Sequence, residues 1–363
     1  MSLQLIADDL TGALDTAAQF ALAAPVPVYW GSLPDHLPDR VAIDSGTREG
    51  DAEAAHAKVR ALAAALPPVP GAVRYAKLDS LLRGHAAAEI AAWIDAVRPA
   101  HCIVAPAFPF YGRATRGGRQ GVLTGETWTP VACDLAADLA ARGLAPTLRR
   151  PGDALPEGVS LWDADTDADL AAIAAAGRAA AGPVLWCGTG GLAAALAGVA
   201  PPGGDAFPPP DLPRPLLGLF GTHHPATLAQ LAPLPTLPAD DRPAIRAALA
   251  RDGVALVTSG LPEGLDAAAA AAEIAARFGD LALALRRPAS LIVSGGETLR
   301  ALCERLGAER LDLTGQIVLG VPASVLRGGP WDGVRVVSKS GAFGKPPLLG
   351  RLLAMSPSTE FCK

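Results

Sequence analysis

Residues 3–22 constrain this chain more than any other stretch. Leu3 to Ala7 is a short apolar run, too short for a helix and flanked like a buried strand. From Thr11 the apolar spacing changes: Leu14, Ala17, Ala18 and Ala21 recur at i, i+3, i+4 and i+7, one face of a helix. Strand therefore hands over to helix within a few residues, and Asp8, Asp9, Thr11 and Gly12 occupy the turn. In an open α/β sheet such a turn lies at the carboxyl edge, where ligands bind. Two adjacent carboxylates there suit magnesium or proton abstraction from a hydroxyl. Equally, Asp9 can cap the helix with Asp8 in solvent, and the stretch alone leaves both readings open.

Two further turns repeat the pattern. Arg40 to Ile43 is an apolar strand that runs into Asp44-Ser45-Gly46-Thr47-Arg48-Glu49, ahead of a helix from Ala52 to Leu66. An arginine fork and a hydroxyl on a turn match a carboxylate or phosphate, although Thr47 could simply cap the helix. Val73 to Ala76 is the next strand, followed by Lys77-Leu78-Asp79-Ser80-Leu81-Leu82-Arg83-Gly84-His85 and a helix from Ala86 to Val97. Three polar strand-to-helix turns in succession describe one rim of a parallel sheet. A fourth strand, His101 to Pro106, leads into a long Gly- and Arg-rich loop, 107–121, which carries Arg113. A basic loop of that length is either a closing element over an anionic substrate or a mobile surface hairpin.

Length and composition set the frame. A chain of 363 residues is expected to form two domains, each with its own core. Net charge −5 and a pI near 5.7 argue against nucleic acid or an anionic membrane as the main partner. No signal peptide is evident in Met-Ser-Leu-Gln, and no apolar run reaches membrane-spanning length. The five cysteines form no CxxC or metal-like spacing, which fits reduced thiols in a cytoplasm. Only five of the 31 basic residues are lysine, among them Lys77 and Lys339, a weak hint that a compact ammonium matters there.

Two motifs are set aside. Asp163, Asp165, Asp167 and Asp169 imitate a calcium loop, but Ala168 and Ala174 replace the required glycine and glutamate. Gly188-Thr189-Gly190-Gly191-Leu192-Ala193 matches a dinucleotide fingerprint, yet the sequence after it enters a Pro/Gly-rich stretch instead of a second strand with an acidic end. That stretch, 201–215, is the expected linker between a domain spanning 1–200 and one spanning 216–363. The second domain offers Gly221-Thr222-His223-His224 after one strand, Ser294-Gly295-Gly296-Glu297-Thr298 after another, and Ser338-Lys339-Ser340-Gly341 after a third. Glycines at strand-to-helix turns expose backbone amides that can cradle phosphate, or they simply make tight turns. No G-x-x-x-x-G-K-[ST] occurs, so a P-loop is excluded.

These residues together resemble the four-carbon acid sugar kinases. The matching segments are Ile6-Ala7-Asp8-Asp9-Leu10-Thr11-Gly12-Ala13, Thr47-Arg48, Lys77 to Gly84, Pro106-Ala107-Phe108-Pro109 with Gly112-Arg113, Ser294 to Thr298, and Lys339 to Gly344. The resemblance implies an α/β fold of two domains, each a mainly parallel sheet flanked by helices, with the active site in the cleft between them. It implies ATP and Mg2+ as cofactors, and a sugar acid held by the first domain with ATP held by the second. Asp8 and Asp9 are the expected catalytic pair, with Asp8 a candidate metal ligand. Thr47, Arg48, Lys77, Asp79, Ser80, Arg83 and Arg113 are expected on the substrate. His224, Gly295, Gly296, Glu297, Thr298, Lys339 and Gly341 are expected on the nucleotide. At Gly221-Thr222-His223-His224 the chain departs from the family's usual Gly-Ser-x-Ser and sets an imidazole where a serine would stand. A homodimer is compatible with all of this. The rival expectations are a non-catalytic sugar-acid sensor and, on Gly188 to Ala193 alone, an NAD-linked hydroxyacid dehydrogenase.

Overall fold

The computed structural model describes residues 2–31, 33–199, 212–222, 224–261 and 267–354. Residues 201–211 of the expected linker and His223 lie outside them. The chain divides into two compact units, Met1–Gly203 and Gly204–Lys363.

The first unit runs β1 (Leu3–Ala7), α1 (Leu10–Ala18), β2 (Val26–Trp30), β3 (Arg40–Asp44), α2 (Ala52–Ala65), β4 (Val73–Lys77), α3 (Ala86–Val97) and β5 (His101–Ala105). There follow a 3₁₀ turn (Pro109–Tyr111), β6 (Arg113–Arg116), β7 (Arg119–Thr124), β8 (Thr127–Pro130), α4 (Leu135–Ala141), β9 (Thr147–Arg149), β10 (Gly158–Trp162), α5 (Asp167–Arg178), β11 (Val184–Gly188) and α6 (Gly190–Ala197). Eight strands pair all-parallel in the order β2-β3-β1-β4-β11-β5-β10-β9. The central strand β1 is buried at every position, as a strand covered on both faces must be. The core beneath α2 and α3 is built from Ile6, Val41, Ile43, Val59, Ile90, Trp93 and Val104. The chain leaves β1 for β2 and β3 on one side and returns at β4 on the other. That reversal opens a crevice over the carboxyl end of β1.

Of the two readings of 107–121, a closing element or a surface hairpin, the chain there forms the 3₁₀ turn and the hairpin β6-β7, which β8 extends into an antiparallel meander. Gly117 and Gly118 both have positive φ (58° and 75°), the conformation a two-residue hairpin demands. The second unit runs β12 (Leu216–Phe220), α7 (Pro225–Leu231), β13 (Leu237–Pro238), α8 (Arg242–Arg251), β14 (Val254–Thr258), α9 (Ala267–Ala284), β15 (Ser290–Ser294), α10 (Gly296–Arg305), β16 (Arg310–Val318), β17 (Val321–Arg327), β18 (Arg335–Lys339) and α11 (Leu348–Ala354). Its strands lie in the order β13-β14-β12-β15-β18-β17-β16, parallel as far as β18 and antiparallel beyond. Phe220, Leu231, Ile292, Val337 and Leu349 fill its core. Among the described residues, no helix is long and apolar enough to cross a membrane.

Candidate active site

Neighbouring strands β3, β1 and β4 end side by side, so their three polar turns form one rim. The backbone N–H groups of Thr47 and Arg48 both donate to the carbonyl of Asp8, at 3.1 and 3.2 Å, which ties the second turn to the first. The Arg48 side chain then reaches back across β1. Its Nε and Nη2 donate to the two Asp8 oxygens at 2.8 Å each, while Nη1 and Nη2 donate to Asp9 at 2.8 and 2.9 Å. One guanidinium thus grips two carboxylates by paired bonds, the geometry in which arginine outperforms lysine. Asp9 also caps α1, accepting the Gly12 N–H at 2.8 Å. The capping and site readings of Asp9 are therefore not exclusive. Asp8 is buried, with 3% of its side chain exposed, whereas Asp9 keeps 17%.

Electrostatics act on Asp9 and Arg48 in different ways. Burial lifts Asp9 above the usual carboxylate range, the Arg48 charge opposing it and the Asp8 charge adding to it. For Arg48 burial works against the cation, but the Asp8 hydrogen bonds and the surrounding carboxylates overcome it and hold the guanidinium firmly charged.

The third turn is internally braced. Arg83 donates to Asp79 through Nε (3.0 Å) and Nη2 (2.7 Å), and Asp79 Oδ1 also accepts the Leu81 N–H at 3.0 Å. Burial opposes the Asp79 charge, yet the Arg83 bonds and the Arg48 and Lys77 charges outweigh it and hold the carboxyl well below its usual range. Leu82 sits at φ +55°, a conformation costly for a leucine, and Gly84 follows at φ +83°. A Cβ on Gly84 would stand 3.1 Å from Asp8 Oδ2, so the turn presses directly on the first carboxylate. Arg48 Nη2 lies 3.6 Å from Asp79 Oδ2, linking all three turns. Of the other expected residues, Ser80 is half-buried with its carbonyl accepting from Gln120, and Arg113 donates to the Tyr111 carbonyl at 3.0 Å. Burial lowers Arg113 below the usual arginine range, with the Asp79 charge opposing the shift and the Arg83 charge adding to it.

Lys77 ends β4 and is 5% exposed. Its Nζ lies over the first turn of α1, 2.8 Å from where a Gly12 Cβ would be. It makes no hydrogen bond or ion pair among the described residues.

Two buried carboxyls that were not picked out of the sequence lie beside this rim. Glu89 on α3 accepts from Thr47 Oγ1 at 2.6 Å, and Thr47 Oγ1 is 2.7 Å from Ser45 Oγ. Burial, with the Asp8 charge, pushes Glu89 up to about 7. Asp15 on α1 bonds to Thr16 Oγ1 at 2.6 Å, and burial pushes it up to about 6. A signal existed for both: each is a lone acid inside a run of wholly buried helix, Ala86–Trp93 and Leu10–Ala18. A charged residue on an apolar stretch is the informative exception.

In the second unit the glycine turns after β12, β15 and β18 converge. Lys339, 1% exposed, donates to Thr227 Oγ1 (2.6 Å), Ser294 Oγ (3.2 Å) and the Ser340 carbonyl (3.1 Å). No carboxylate pairs with it among the described residues, and burial lowers its amine to about 8. Thr227 Oγ1 also donates to the Gly341 carbonyl at 2.7 Å, and the Gly295 N–H donates to the Lys339 carbonyl at 3.0 Å. Gly295 takes φ +112° and opens α10, whose first residues are Gly296, Glu297 and Thr298. Thr298 is buried and Glu297 points into solvent. His224 caps α7, its Nδ1 accepting the Ala226 N–H at 3.2 Å. The fingerprint glycines of the first unit serve packing: a Cβ on Gly188 would meet the Ala105 carbonyl at 2.7 Å, and Thr189 Oγ1 bonds the Ala107 carbonyl at 2.7 Å.

Among the described residues, no group of three His, Cys, Asp or Glu side chains could hold a metal ion. Each oxygen of Asp8 accepts one N–H from Arg48, so the expected metal ligand is here a partner of the guanidinium.

Comparison with known proteins decides the lineage. A model described as a sugar-binding N-terminal domain matches residues 3–138, and one described as a nucleotide-binding C-terminal domain matches 236–349. A D-threonate kinase of Cupriavidus necator is 34% identical, over 96% of this chain and 96% of its own. A second, from Bordetella bronchiseptica, is 32% identical over 99% and 98%. The chain belongs to the four-carbon acid sugar kinase family. A solved Haemophilus influenzae structure shares the fold, with a TM-score of 0.71 at 21% identity over 97% of this chain and 99% of that one. In the family's terms, the Asp8-Asp9-Arg48 rim lies within the sugar-binding match, and the Gly295 and Lys339 turns lie within the nucleotide-binding match.

Proposed function

We propose that this protein is an ATP-dependent kinase that phosphorylates a hydroxyl of a small sugar acid of about four carbons, acting in the cytoplasm. The observation that carries the reading is the three-turn rim, at which Arg48 binds Asp8 and Asp9 at once, in a chain whose relatives are D-threonate kinases. Phosphoryl transfer needs a placed hydroxyl, a base and neutralised phosphate charge more than covalent chemistry.

The roles follow from exposure and bonding. Asp9, the more accessible carboxylate, takes the proton of the acceptor hydroxyl; its raised affinity for protons suits a base. Asp8 anchors Arg48 and stays out of the chemistry. Lys77, with three free donors, takes the substrate carboxylate or the arriving phosphoryl group, and Arg83, with 61% of its side chain exposed, borders the same anion. Thr47, Asp79, Ser80 and Arg113 shape the rim around it. On the nucleotide side, the amides opening α10 at Gly295-Gly296 cradle phosphate beside Thr298 and Gly341. The buried ammonium of Lys339 holds the β15 and β18 turns in register and adds positive potential. Magnesium carried by the nucleotide would neutralise phosphate charge, with the phosphates and water rather than a cluster of protein carboxylates as its main ligands.

The test is ATP turnover, read as ADP release, across a panel of three- to six-carbon aldonic acids. One acid should be turned over. Asp9→Asn should lower kcat by roughly 10²- to 10⁴-fold with little change in the KM for ATP. Binding of ATP and acid without turnover would replace the kinase reading with that of a sensor.

A further inference from the structure

Asp15 has no part in the chemistry of the rim, although keeping it ionised inside the fold is costly. Its side chain belongs to a residue 5% exposed, on the face of α1 one turn beyond Gly12. Thr16 occupies Oδ1, and Oδ2 has no protein partner among the described residues. The groups around it come from several elements. Lys77 and Tyr75 stand on β4, Asp9 precedes α1, Arg48 follows β3, and Tyr111 lies on the 3₁₀ turn. Tyr75 is turned away, its hydroxyl donating to the Thr189 carbonyl at 2.5 Å. A Cβ on Gly190 would lie 3.8 Å from Asp15 Oδ1, which brings the start of α6 to the same place.

Of the cations around Asp15, Lys77 acts on it more strongly than Arg48, and the two do not touch. No ion pair within 4.0 Å joins them, although both residues are 5% exposed and both keep unused hydrogen-bonding capacity. In a structural ion pair the charges would close on each other, because burial makes separation expensive. Here a free ammonium and a free carboxylate oxygen stand apart along one helix face, next to the Asp9 carboxylate. A hydroxy acid satisfies both: its carboxylate accepts from Lys77 and a hydroxyl donates to Asp15.

We propose that Asp15 is a specificity residue that reads one hydroxyl of the sugar acid while Lys77 holds the acid's carboxylate. The inference rests on the kinase reading for its substrate class, but its test does not depend on turnover. Asp15 remains ionised near neutral pH and accepts the hydroxyl proton as a charge-assisted hydrogen bond. Its apolar walls, Phe108 and the Tyr111 ring among them, make a ligand lacking that hydroxyl leave the carboxylate unpaired.

The experiment measures calorimetric binding of D-threonate, 2,4-dihydroxybutanoate and 2,3-dihydroxybutanoate to the full chain without ATP, for wild type and Asp15→Asn. Wild type should bind D-threonate roughly 10- to 100-fold more tightly than one of the two deoxy acids. Asp15→Asn should erase most of that ratio by weakening D-threonate alone. Its affinity for the discriminated deoxy acid and for ATP should stay within about twofold. Wild-type affinity for D-threonate should fall as pH drops through about 6, and the Asn variant should lack that fall. The proposal is overturned if the variant weakens all three acids equally, if wild type does not discriminate among them, or if no acid binds. Acid binding with the expected ratios but no ATP turnover would uphold Asp15 and overturn the kinase reading instead. Urea unfolding of Asp15→Asn at pH 7.5 guards against misfolding. Neutralising a buried carboxyl should leave its midpoint equal to or above wild type.

Discussion

Arg48→Met is the sharpest physical test of the rim. The substitution keeps an unbranched apolar stem of similar reach and removes the guanidinium that makes four hydrogen bonds to Asp8 and Asp9. Two adjacent carboxylates are then left facing each other, one of them with only 3% of its side chain exposed. Breaking a buried pair by removing one partner typically costs about 3–5 kcal/mol, because the remaining charge loses its solvation without compensation. The Arg48 side chain is 16% exposed and Asp9 17%, so water recovers part of the loss and the lower end, about 3 kcal/mol, is expected. The cost must depend on pH. Burial already raises Asp9, Arg48 is the strongest pull in the other direction, and without it the carboxyl rises further. A carboxyl raised in the folded state contributes stability at low pH that is lost as pH climbs through its folded value. The gap between variant and wild type should therefore be widest at pH 8 and shrink toward pH 5. Urea unfolding followed by tryptophan fluorescence, to which buried Trp93 and Trp162 of this unit report, measures it. A loss under about 1 kcal/mol at pH 8, or an equal loss at both pH values, would show that Arg48 is a surface clamp and not the hub described here.

Two other substitutions probe buried charge. Glu89→Gln keeps the contact with Thr47 and removes a carboxyl that burial and Asp8 hold up to about 7. Such a group stabilises fully below its ordinary range and loses that contribution as pH rises through 7. The variant should therefore gain on wild type by about 2–3 kcal/mol at pH 8 and not at pH 4.5, as read from paired denaturation curves. Lys339→Met addresses the second unit. Burial lowers the lysine to about 8, so the unfolded chain binds the extra proton between there and its ordinary 10.5, and wild-type stability rises with pH across that window. The variant should lack the rise and bind ATP more weakly; an unchanged pH slope would place the ammonium in water.

The physics explains which parts were legible beforehand. The rim could be read because each of its pieces is local: an apolar strand, a polar turn and a helix-periodic run, repeated at Asp8, Arg48 and Lys77. Local patterns say that such turns share an edge but not which turn sits beside which. Strand order does that, and only the order β3-β1-β4 reveals that Arg48 bridges Asp8 and Asp9. The meander at 113–130 was hidden for a different reason. Its two-glycine hairpin was legible, but its strands carry arginines and threonines on a half-exposed sheet, which blurs the alternation that marks a strand. The β16–β17 hairpin is masked in the same way by Asp312, Thr314 and Gln316. Asp15 and Glu89 show in neither the local pattern nor the strand order. Each stands within an apolar helical run that reads as core, and a periodicity argument averages over the single residue that breaks it. Burial turns that average into a sharp statement, because a carboxyl enclosed by protein needs a partner. Glu89 has Thr47 for one, whereas Asp15 has Thr16 on one oxygen and a free ammonium standing off from the other. The residue that the pattern hides most completely is thus the one whose unmet bonding capacity points most directly to a ligand.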